Sequence, residues 1–223
     1  MAAPVRAQRL KAAPAVRDRA LALGMPPMLD VWFDFASTYS YPAVLRLGPL
    51  AQKAGVATRF RPFLLGPIFK AQGWDTSPFN LYPAKGQYMW RDLERVCADL
   101  ALPFRRPEPF PQNSLLAARV ALAGAGEAWH DGFCLGVFRA EFGEGRRIDE
   151  PATLAGILTE LGVDPTATLA AAQTDPVKLK LRAETEAAQR LGIFGAPTFV
   201  TADGELFWGN DRLEAALAWA TRA

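Results

Sequence analysis

The segment LDVWFDFASTYS, residues 29–40, contains the change of periodicity that decides the fold. Apolar residues alternate along its first part as far as Phe35, a pattern that predicts a β-strand. The alternation breaks at residues 36–38, and apolar residues return at helical spacing from Tyr39 until Gly55. A second short strand is predicted at residues 56–62. The order strand, helix, strand favours two parallel strands joined by a crossover helix.

Helical periodicity dominates the middle of the chain. The predicted helices there span residues 84–100, 114–123, 127–142, 151–161, 166–172 and 176–191. A strand pattern returns at residues 197–200 and at 205–208, and residues 210–221 are predicted to form a closing helix. Strands at both ends with helices between them indicate an α/β protein in which one sheet domain carries a large helical insertion.

This pattern gives a predicted division of the chain. Residues 28–64 and 192–223 would form the sheet domain, and residues 65–191 would form the all-helical insertion. Residues 1–27 are alanine-rich and carry five basic side chains against one acid, Asp18. We expect this stretch to be a disordered N-terminal extension.

Composition excludes several classes of function. A formal net charge of +2 over 223 residues gives no case for nucleic-acid binding, and no apolar run approaches the roughly 20 residues that cross a bilayer. Cys97 and Cys134 are far apart and lie in apolar helical segments, which indicates buried core residues rather than a redox pair. With His130 as the single histidine, a metal site is not expected. We predict a cytoplasmic protein without a bound metal.

Ser37 stands at the junction of the first strand and helix. As the helix N-cap it would satisfy a backbone N–H group, which is a sufficient structural explanation. A helix N-terminus also favours anions, and a serine hydroxyl there could donate a hydrogen bond to a bound thiolate. This segment alone favours the capping role.

Two segments near the C-terminus change that balance. FGAPT, residues 194–198, has a proline at the start of a strand, where the backbone of Ala196 could pair with an extended peptide; the alternative is a turn that ends the preceding helix. WGNDR, residues 208–212, precedes the last helix. There Asn210 or Asp211 would cap the helix, or the helix N-terminus would bind an anion and the carboxylate an ammonium group.

Together these segments resemble a known family. FDFxSxxS, GxPT and WGNDR, in this order, are similar to motifs of the 2-hydroxychromene-2-carboxylate isomerases, relatives of the kappa-class glutathione transferases in the DsbA-like thioredoxin superfamily. LLGPIFK at residues 64–70 and PAKGQYM at 83–89 extend the resemblance, which covers about residues 29–221. It implies a thioredoxin-like fold with a helical insertion, and an enzyme that uses glutathione.

The resemblance also implies roles for individual residues in glutathione binding. Ser37 would contact the glutathione sulfur, and the backbone of Ala196 would pair with the cysteinyl unit. The γ-glutamyl end would be held by a segment consisting of Trp208, Gly209, Asn210 and Asp211.

On the substrate side the implied residues are less closely tied to a motif. Lys70 would lie near the substrate carboxylate, although an exposed, solvated lysine is the usual alternative. Asn80 matches an active-site asparagine if the loop is aligned on its Pro-x-Asn, whereas alignment on Gly73 places Trp74 there. Asn113 would line the pocket, or cap the helix that follows it.

The absence of cysteine at positions 37 and 40 argues against thiol–disulfide exchange, which needs a protein thiolate. The resemblance then implies a glutathione-dependent isomerase that converts a small aromatic substrate to trans-o-hydroxybenzylidenepyruvate, and possible homodimers. The alternatives are a kappa-like transferase and a non-catalytic thioredoxin-fold binding module. Four aromatic residues would wall the substrate cavity unless they pack in the core: Phe69, Trp74, Phe79 and Tyr88.

Overall fold

Four strands form one sheet in the computed structural model, which describes residues 26–222 of the chain. They are β1 (Met28–Phe33), β2 (Ala57–Pro62), β3 (Thr198–Thr201) and β4 (Leu206–Trp208). The order across the sheet is β2-β1-β3-β4, with β1 parallel to β2 and antiparallel to β3, and β3 antiparallel to β4. The predicted parallel opening and returning strands are confirmed. Residues 1–25 of the expected N-terminal extension lie outside the described residues.

Every regular element between β2 and β3 is a helix. The helices of the chain are α1 (Ser40–Ala54), α2 (Leu65–Ala71), α3 (Pro78–Leu81), α4 (Pro83–Asp99), α5 (Leu115–Ala123), α6 (His130–Phe138), α7 (Pro151–Glu160), α8 (Pro165–Ala171), α9 (Asp175–Arg190) and α10 (Leu213–Ala220). A π-helical turn, Arg139–Gly143, continues α6, and a 3-10 turn, Asn210–Arg212, precedes α10. The fold is therefore the expected mixed α/β thioredoxin type, while the domain boundaries stay a prediction.

The start of the crossover helix corrects one expectation. The N-cap of α1 is Tyr39, whose side chain makes no capping bond, and Ser37 lies two residues before it. The Ser37 N–H donates to the Asp34 carbonyl, and the Ser40 N–H donates to the Ser37 carbonyl, so a turn separates strand from helix. The capping role favoured for Ser37 is wrong. Gly55 ends α1 with φ 66°, in the left-handed region that glycine adopts easily.

The capping role of Asn210 or Asp211 is also wrong. Both lie in the 3-10 turn, and the N-cap of α10 is Arg212, without a side-chain capping bond. The Asn210 side-chain oxygen instead accepts a hydrogen bond from Arg46 Nε at 3.1 Å. The extra turn displaces the start of α10 beyond reach of these side chains.

The alternation along β1 places its side chains against two groups of helices. Leu29 and Val31 pack with α1 and α10 on one face of the sheet, and Trp32 packs with residues of α2 and α9 on the other. At the C-terminal end of β1, Phe33 and Phe35 belong to the buried cluster of α4 to α7. The sheet and the helical segment thus share apolar packing at the end of β1.

Within residues 26–222 no helix is long and apolar enough to span a bilayer. In the same residues, no three His, Cys, Asp or Glu side chains are grouped as metal ligands.

Candidate active site

A cavity of ≈ 730 Å³ lies beyond the C-terminal end of β1, between the sheet and the helices that follow β2. Its lining includes the four aromatic residues named from the sequence. The aromatic residues that line it are Tyr39, Phe69, Trp74, Phe79, Tyr88, Phe110, Phe194 and Trp208. Polar side chains lie among these aromatic residues, and a lining that combines aromatic and polar groups is typical of a small-molecule site.

Ser37 and Ala196 meet in the lining of this cavity. Ser37 is 8% exposed, and its Oγ donates a hydrogen bond of 2.9 Å to the carbonyl oxygen of Ala196. The Ala196–Pro197 peptide bond is cis. Among residues 26–222 the Ala196 N–H has no hydrogen-bond acceptor. The fold therefore brings together two predicted residues that are 159 positions apart, with a hydroxyl and a backbone amide available to a ligand.

Asp34 fixes three segments of the lining. Its Oδ1 accepts hydrogen bonds from the Ala36 N–H at 3.0 Å and from Ser114 Oγ at 2.6 Å. Its Oδ2 accepts from the Leu65 N–H at 2.8 Å. Burial raises the pKa of Asp34, and the three donors act in the opposite direction. The Asp34 carboxyl group thus joins three segments: the Ser37 loop (residues 34–39), the start of α2 and the start of α5.

The Ser37 loop is also bonded to α4. Thr38 Oγ1 lies 3.2 Å from Met89 Sδ, and the Tyr39 hydroxyl donates to Asp92 Oδ2 at 2.8 Å. Burial, followed by this hydrogen bond to Asp92, raises the pKa of Tyr39, so its phenol stays protonated at neutral pH. These bonds hold the loop from the side opposite Ala196.

Trp208 and Phe194 form an aromatic corner beside Ala196, with ring centroids 4.9 Å apart. A Cβ atom at Gly195 would lie 2.5 Å from Trp208 Nε1, so a larger residue there would displace the indole. Gly209 has φ 112°, and its N–H donates to the Pro197 carbonyl at 3.0 Å. Both glycines are therefore required by the geometry of the corner.

Asn210 and Asp211 follow this corner, outside the cavity lining. Asn210 is 9% exposed and held by Arg46, whereas the Asp211 side chain is 71% exposed, 3.5 Å from Arg212 Nη2. Asp211 is thus the carboxylate of this segment that a ligand could reach from solvent. Its role in binding stays a prediction.

Two lysines on the helical side of the cavity differ in whether they line it. Lys70, the lysine named from the sequence, is exposed and does not line the cavity. Lys85 does line it, with Nζ 5.7 Å from the centre of the Phe79 ring. Lys85 was missed, although helical spacing could have found it: Tyr88 and Met89, three and four residues further along α4, also line the cavity.

The two possible alignments of the loop at residues 73–80 also differ in which residue lines the cavity. Asn80 Nδ2 donates to Thr76 Oγ1 at 3.2 Å, and Asn80 does not line the cavity. Trp74 lines it and packs on Phe69 with ring centroids 5.9 Å apart. The structure thus brings Trp74, not Asn80, to the other predicted residues.

Asn113 combines both roles considered for it. It lines the cavity, and its Oδ1 accepts a hydrogen bond of 3.0 Å from the Leu115 N–H at the start of α5. Its neighbour Gln112, which sequence analysis did not single out, lines the cavity as well. Gln112 Oε1 accepts from the Ile148 N–H at 2.7 Å, which anchors this part of the wall.

The two cysteines are buried elsewhere in the helical cluster, as predicted. Burial raises the pKa of Cys97 to about 11 and the pKa of Cys134 well above its ordinary value. Neither residue lines the cavity. The chemistry of this site therefore has no protein thiolate at hand among residues 26–222.

Comparison with known proteins gives four findings that agree with one another. Residues 28–218 match the DsbA-like thioredoxin domain. The chain is 32% identical over 193 residues to a 2-hydroxychromene-2-carboxylate isomerase of Sphingobium xenophagum, which covers 85% of this chain and 96% of that protein. It is 28% identical over 212 residues to glutathione S-transferase kappa 1 of Homo sapiens, covering 85% and 89%. A solved 2-hydroxychromene-2-carboxylate isomerase structure matches with a TM-score of 0.77 and 30% identity, covering 86% and 95%.

Proposed function

The chain belongs to the DsbA-like thioredoxin family, among relatives named 2-hydroxychromene-2-carboxylate isomerase and kappa-class glutathione transferase, and we propose that it is a glutathione-dependent isomerase of 2-hydroxychromene-2-carboxylate-type aromatic compounds. The observation that carries the proposal is the pairing of Ser37 with Ala196 in the lining of an aromatic cavity. A serine there, with serine again at position 40, supports chemistry in which the thiol arrives with a cofactor.

The residues present fit glutathione. The Ala196 N–H is available to donate a hydrogen bond to a backbone carbonyl of a peptide ligand, and Ser37 Oγ lies beside it. The Trp208 corner lies next to Ala196 and leads to the exposed carboxylate of Asp211, which suits the γ-glutamyl ammonium group. The cysteinyl unit and the γ-glutamyl ammonium group of glutathione thus each have a partner of matching chemistry in this part of the chain.

Bound glutathione would supply a thiolate that adds reversibly to a substrate double bond and so permits rotation about it. Ser37 contributes a hydroxyl proton that now points to the Ala196 carbonyl and can turn to a sulfur anion in the cavity. Such a donor stabilises negative charge without reorganisation of solvent. Ser37 is therefore proposed as the catalytic residue.

The remaining walls suit an aromatic carboxylate. The aromatic side chains that line the cavity favour a planar aromatic substrate. Lys85 supplies a cation on the cavity surface, and we assign to it the contact with the substrate carboxylate that sequence comparison had suggested for Lys70. A cytoplasmic location belongs to the same proposal, because the cytosol keeps glutathione and thiols reduced.

The first test is titration of reduced glutathione into the protein by calorimetry. Wild type is expected to bind with a dissociation constant between micromolar and millimolar, and Asp211→Asn to bind at least about tenfold more weakly, as expected for a charged hydrogen bond. Asp175→Asn is the matched control, because its exposed carboxylate lies at the start of α9. Absence of binding at millimolar glutathione would overturn the cofactor assignment.

The second test separates isomerisation from conjugation. Wild type is expected to interconvert the chromene carboxylate and trans-o-hydroxybenzylidenepyruvate without consuming glutathione. Accumulation of a stable conjugate with chlorodinitrobenzene, together with no isomerisation, would favour a kappa-like transferase. No turnover in either assay would leave a non-catalytic binding module.

A further inference from the structure

Glu141 is a buried acid that the proposed function does not use. It lies in the π-helical turn Arg139–Gly143 and has no exposed surface. Neither of its carboxylate oxygens has a hydrogen-bond partner within residues 26–222. Single π-helical turns are rare and are frequently found at functional sites. An acid in this position is costly to ionise, because neither water nor a donor replaces its lost hydration.

Asp34 lies close to Glu141, because Phe33 and Phe35 on either side of it pack on Phe138, three residues before Glu141, with ring centroids 5.5 and 5.1 Å apart. Asp34, which follows β1, and Asp149, which precedes α7, raise the pKa of Glu141 well above its ordinary range, after the larger effect of burial. Arg147 is bonded to Asp149, with Nη2 and Oδ2 2.6 Å apart. No cation among residues 26–222 is paired with Glu141. Burial and the two acids therefore both favour the neutral form of Glu141.

Two buried acids that repel each other seldom ionise together, and the better solvated one keeps the charge. Asp34 accepts three hydrogen bonds, from Ala36, Ser114 and Leu65, whereas Glu141 accepts none. The charge therefore belongs on Asp34 and the proton on Glu141. Hydrogen bonds to a charged acceptor are roughly twice as strong as neutral ones, so the ionised form of Asp34 is the one that holds its three donors.

We propose that protonated Glu141 is a positioning residue of the candidate active site: it allows Asp34 to stay ionised, and ionised Asp34 fixes the Ser37 loop and the starts of α2 and α5. Loss of the Glu141 proton would add a second negative charge beside Asp34 and loosen these three segments. The proposal concerns the geometry of the cavity and holds whatever ligand the cavity binds.

The first consequence is a dependence of stability on pH. An unfolded glutamate ionises at a pKa of about 4.3, whereas folded Glu141 retains its proton to higher pH. The folded state then binds one more proton than the unfolded state, so the stability due to this group falls as pH rises from about 4.3 until the folded pKa is passed. Within that window the unfolding equilibrium constant of wild type should rise by up to about tenfold per pH unit relative to a variant that cannot ionise.

Denaturant unfolding of wild type and Glu141→Gln between pH 5 and 8 measures this ratio. Glu144→Gln is the matched control, because Glu144 belongs to the same segment but its side chain is 56% exposed. The ratio should grow steadily with pH for Glu141→Gln and stay flat for Glu144→Gln. A flat ratio for Glu141→Gln would overturn the proposal. Glu141→Met, which cannot ionise either, must give the same slope and replaces the Gln variant if that one does not fold.

The second measurement tests the positioning role without any ligand. Carbon-13 NMR of the carboxyl groups gives the titration midpoint of Glu141, and hydrogen exchange then follows the Ala36 and Leu65 amides, both donors to Asp34. Above that midpoint these amides should exchange several-fold faster in wild type than in Glu141→Gln, and below it equally fast. Equal rates on both sides, or an Asp34 that holds the proton at pH 7, would overturn the proposal. Failure to bind glutathione would leave it standing and affect the proposed function alone.

Discussion

The candidate active site has two walls that are built differently. The sheet wall, formed by residues 34–39 and 194–196, is made of a strand end, short side chains and backbone groups, joined by bonds such as Ser37 to Ala196. The helical wall, formed by the lining residues between 64 and 89, consists of longer side chains on short helices and their connections. A wall of backbone groups and short side chains held by hydrogen bonds suits the proposed thiolate, and a wall of longer side chains suits recognition of the substrate. The two walls should therefore respond differently to mutation.

Ser37→Ala should have the largest effect, because it removes from the sheet wall the proposed hydrogen-bond donor to the thiolate. Loss of one donor of this kind lowers kcat by about 100-fold or more. Steady-state isomerisation kinetics measure it, together with the pH profile, whose thiol pKa should rise. Ser37 does not cap a helix, so the loss of stability should be limited to about 1 kcal/mol for its hydrogen bond to the Ala196 carbonyl.

Ser40→Ala is the matched control for Ser37→Ala. Ser40 is fully buried, and its Oγ has no hydrogen-bond partner within the described residues. Removing an unsatisfied buried hydroxyl is neutral or slightly stabilising, so both kcat and the melting temperature should stay near those of wild type. Equal losses of kcat in the two variants would mean that residues 37–40 contribute only through packing and that Ser37 has no catalytic role.

On the helical wall, Lys85→Met should weaken substrate binding by about tenfold, the usual cost of one hydrogen bond to a charged group. The loss should appear mainly in KM for the carboxylate substrate. Lys70→Met is the control and should change KM less than twofold, because Lys70 is exposed outside the cavity. The reverse result would return the carboxylate contact to Lys70 and would mean that the helical wall rearranges when substrate binds.

The same two walls show how far sequence analysis reaches. Short motifs mark Ser37 at a strand end and Ala196 before a strand start, and the antiparallel pairing of β1 with β3 brings the two residues together. Lys70 and Asn80 were misplaced relative to the cavity because α2 and α3 are short, and a shift of one residue turns a side chain away. Glu141 could not be found at all. An acid in a helical pattern indicates a surface position, and only the packing of α6 against its neighbours shows it to be buried.

Trp74→Ala should have a smaller effect on the helical wall than Lys85→Met. Trp74 packs on Phe69 at the edge of the cavity, so its removal should raise KM several-fold through lost apolar contact, with kcat little changed. Asn80→Ala is the control and should change KM less than twofold, because Asn80 does not line the cavity and only donates a hydrogen bond to the lining residue Thr76. A larger effect of Asn80→Ala would favour the alignment on Pro-x-Asn.

The smallest effect is expected from the protein's own thiols. Both cysteines lie in the helical cluster with raised pKa values, and with a pKa of about 11 the Cys97 thiol is about 0.1% ionised at pH 8. Native protein should therefore react with Ellman's reagent over minutes only in trace amount, and unfolded protein with both thiols. Cys97→Ala and Cys134→Ala should keep wild-type kcat, since in the proposed function the thiolate belongs to bound glutathione. A large loss of kcat in either variant, with its stability intact, would instead mean that a protein thiol takes part in the reaction. The reaction could then no longer be assigned to the sheet wall alone.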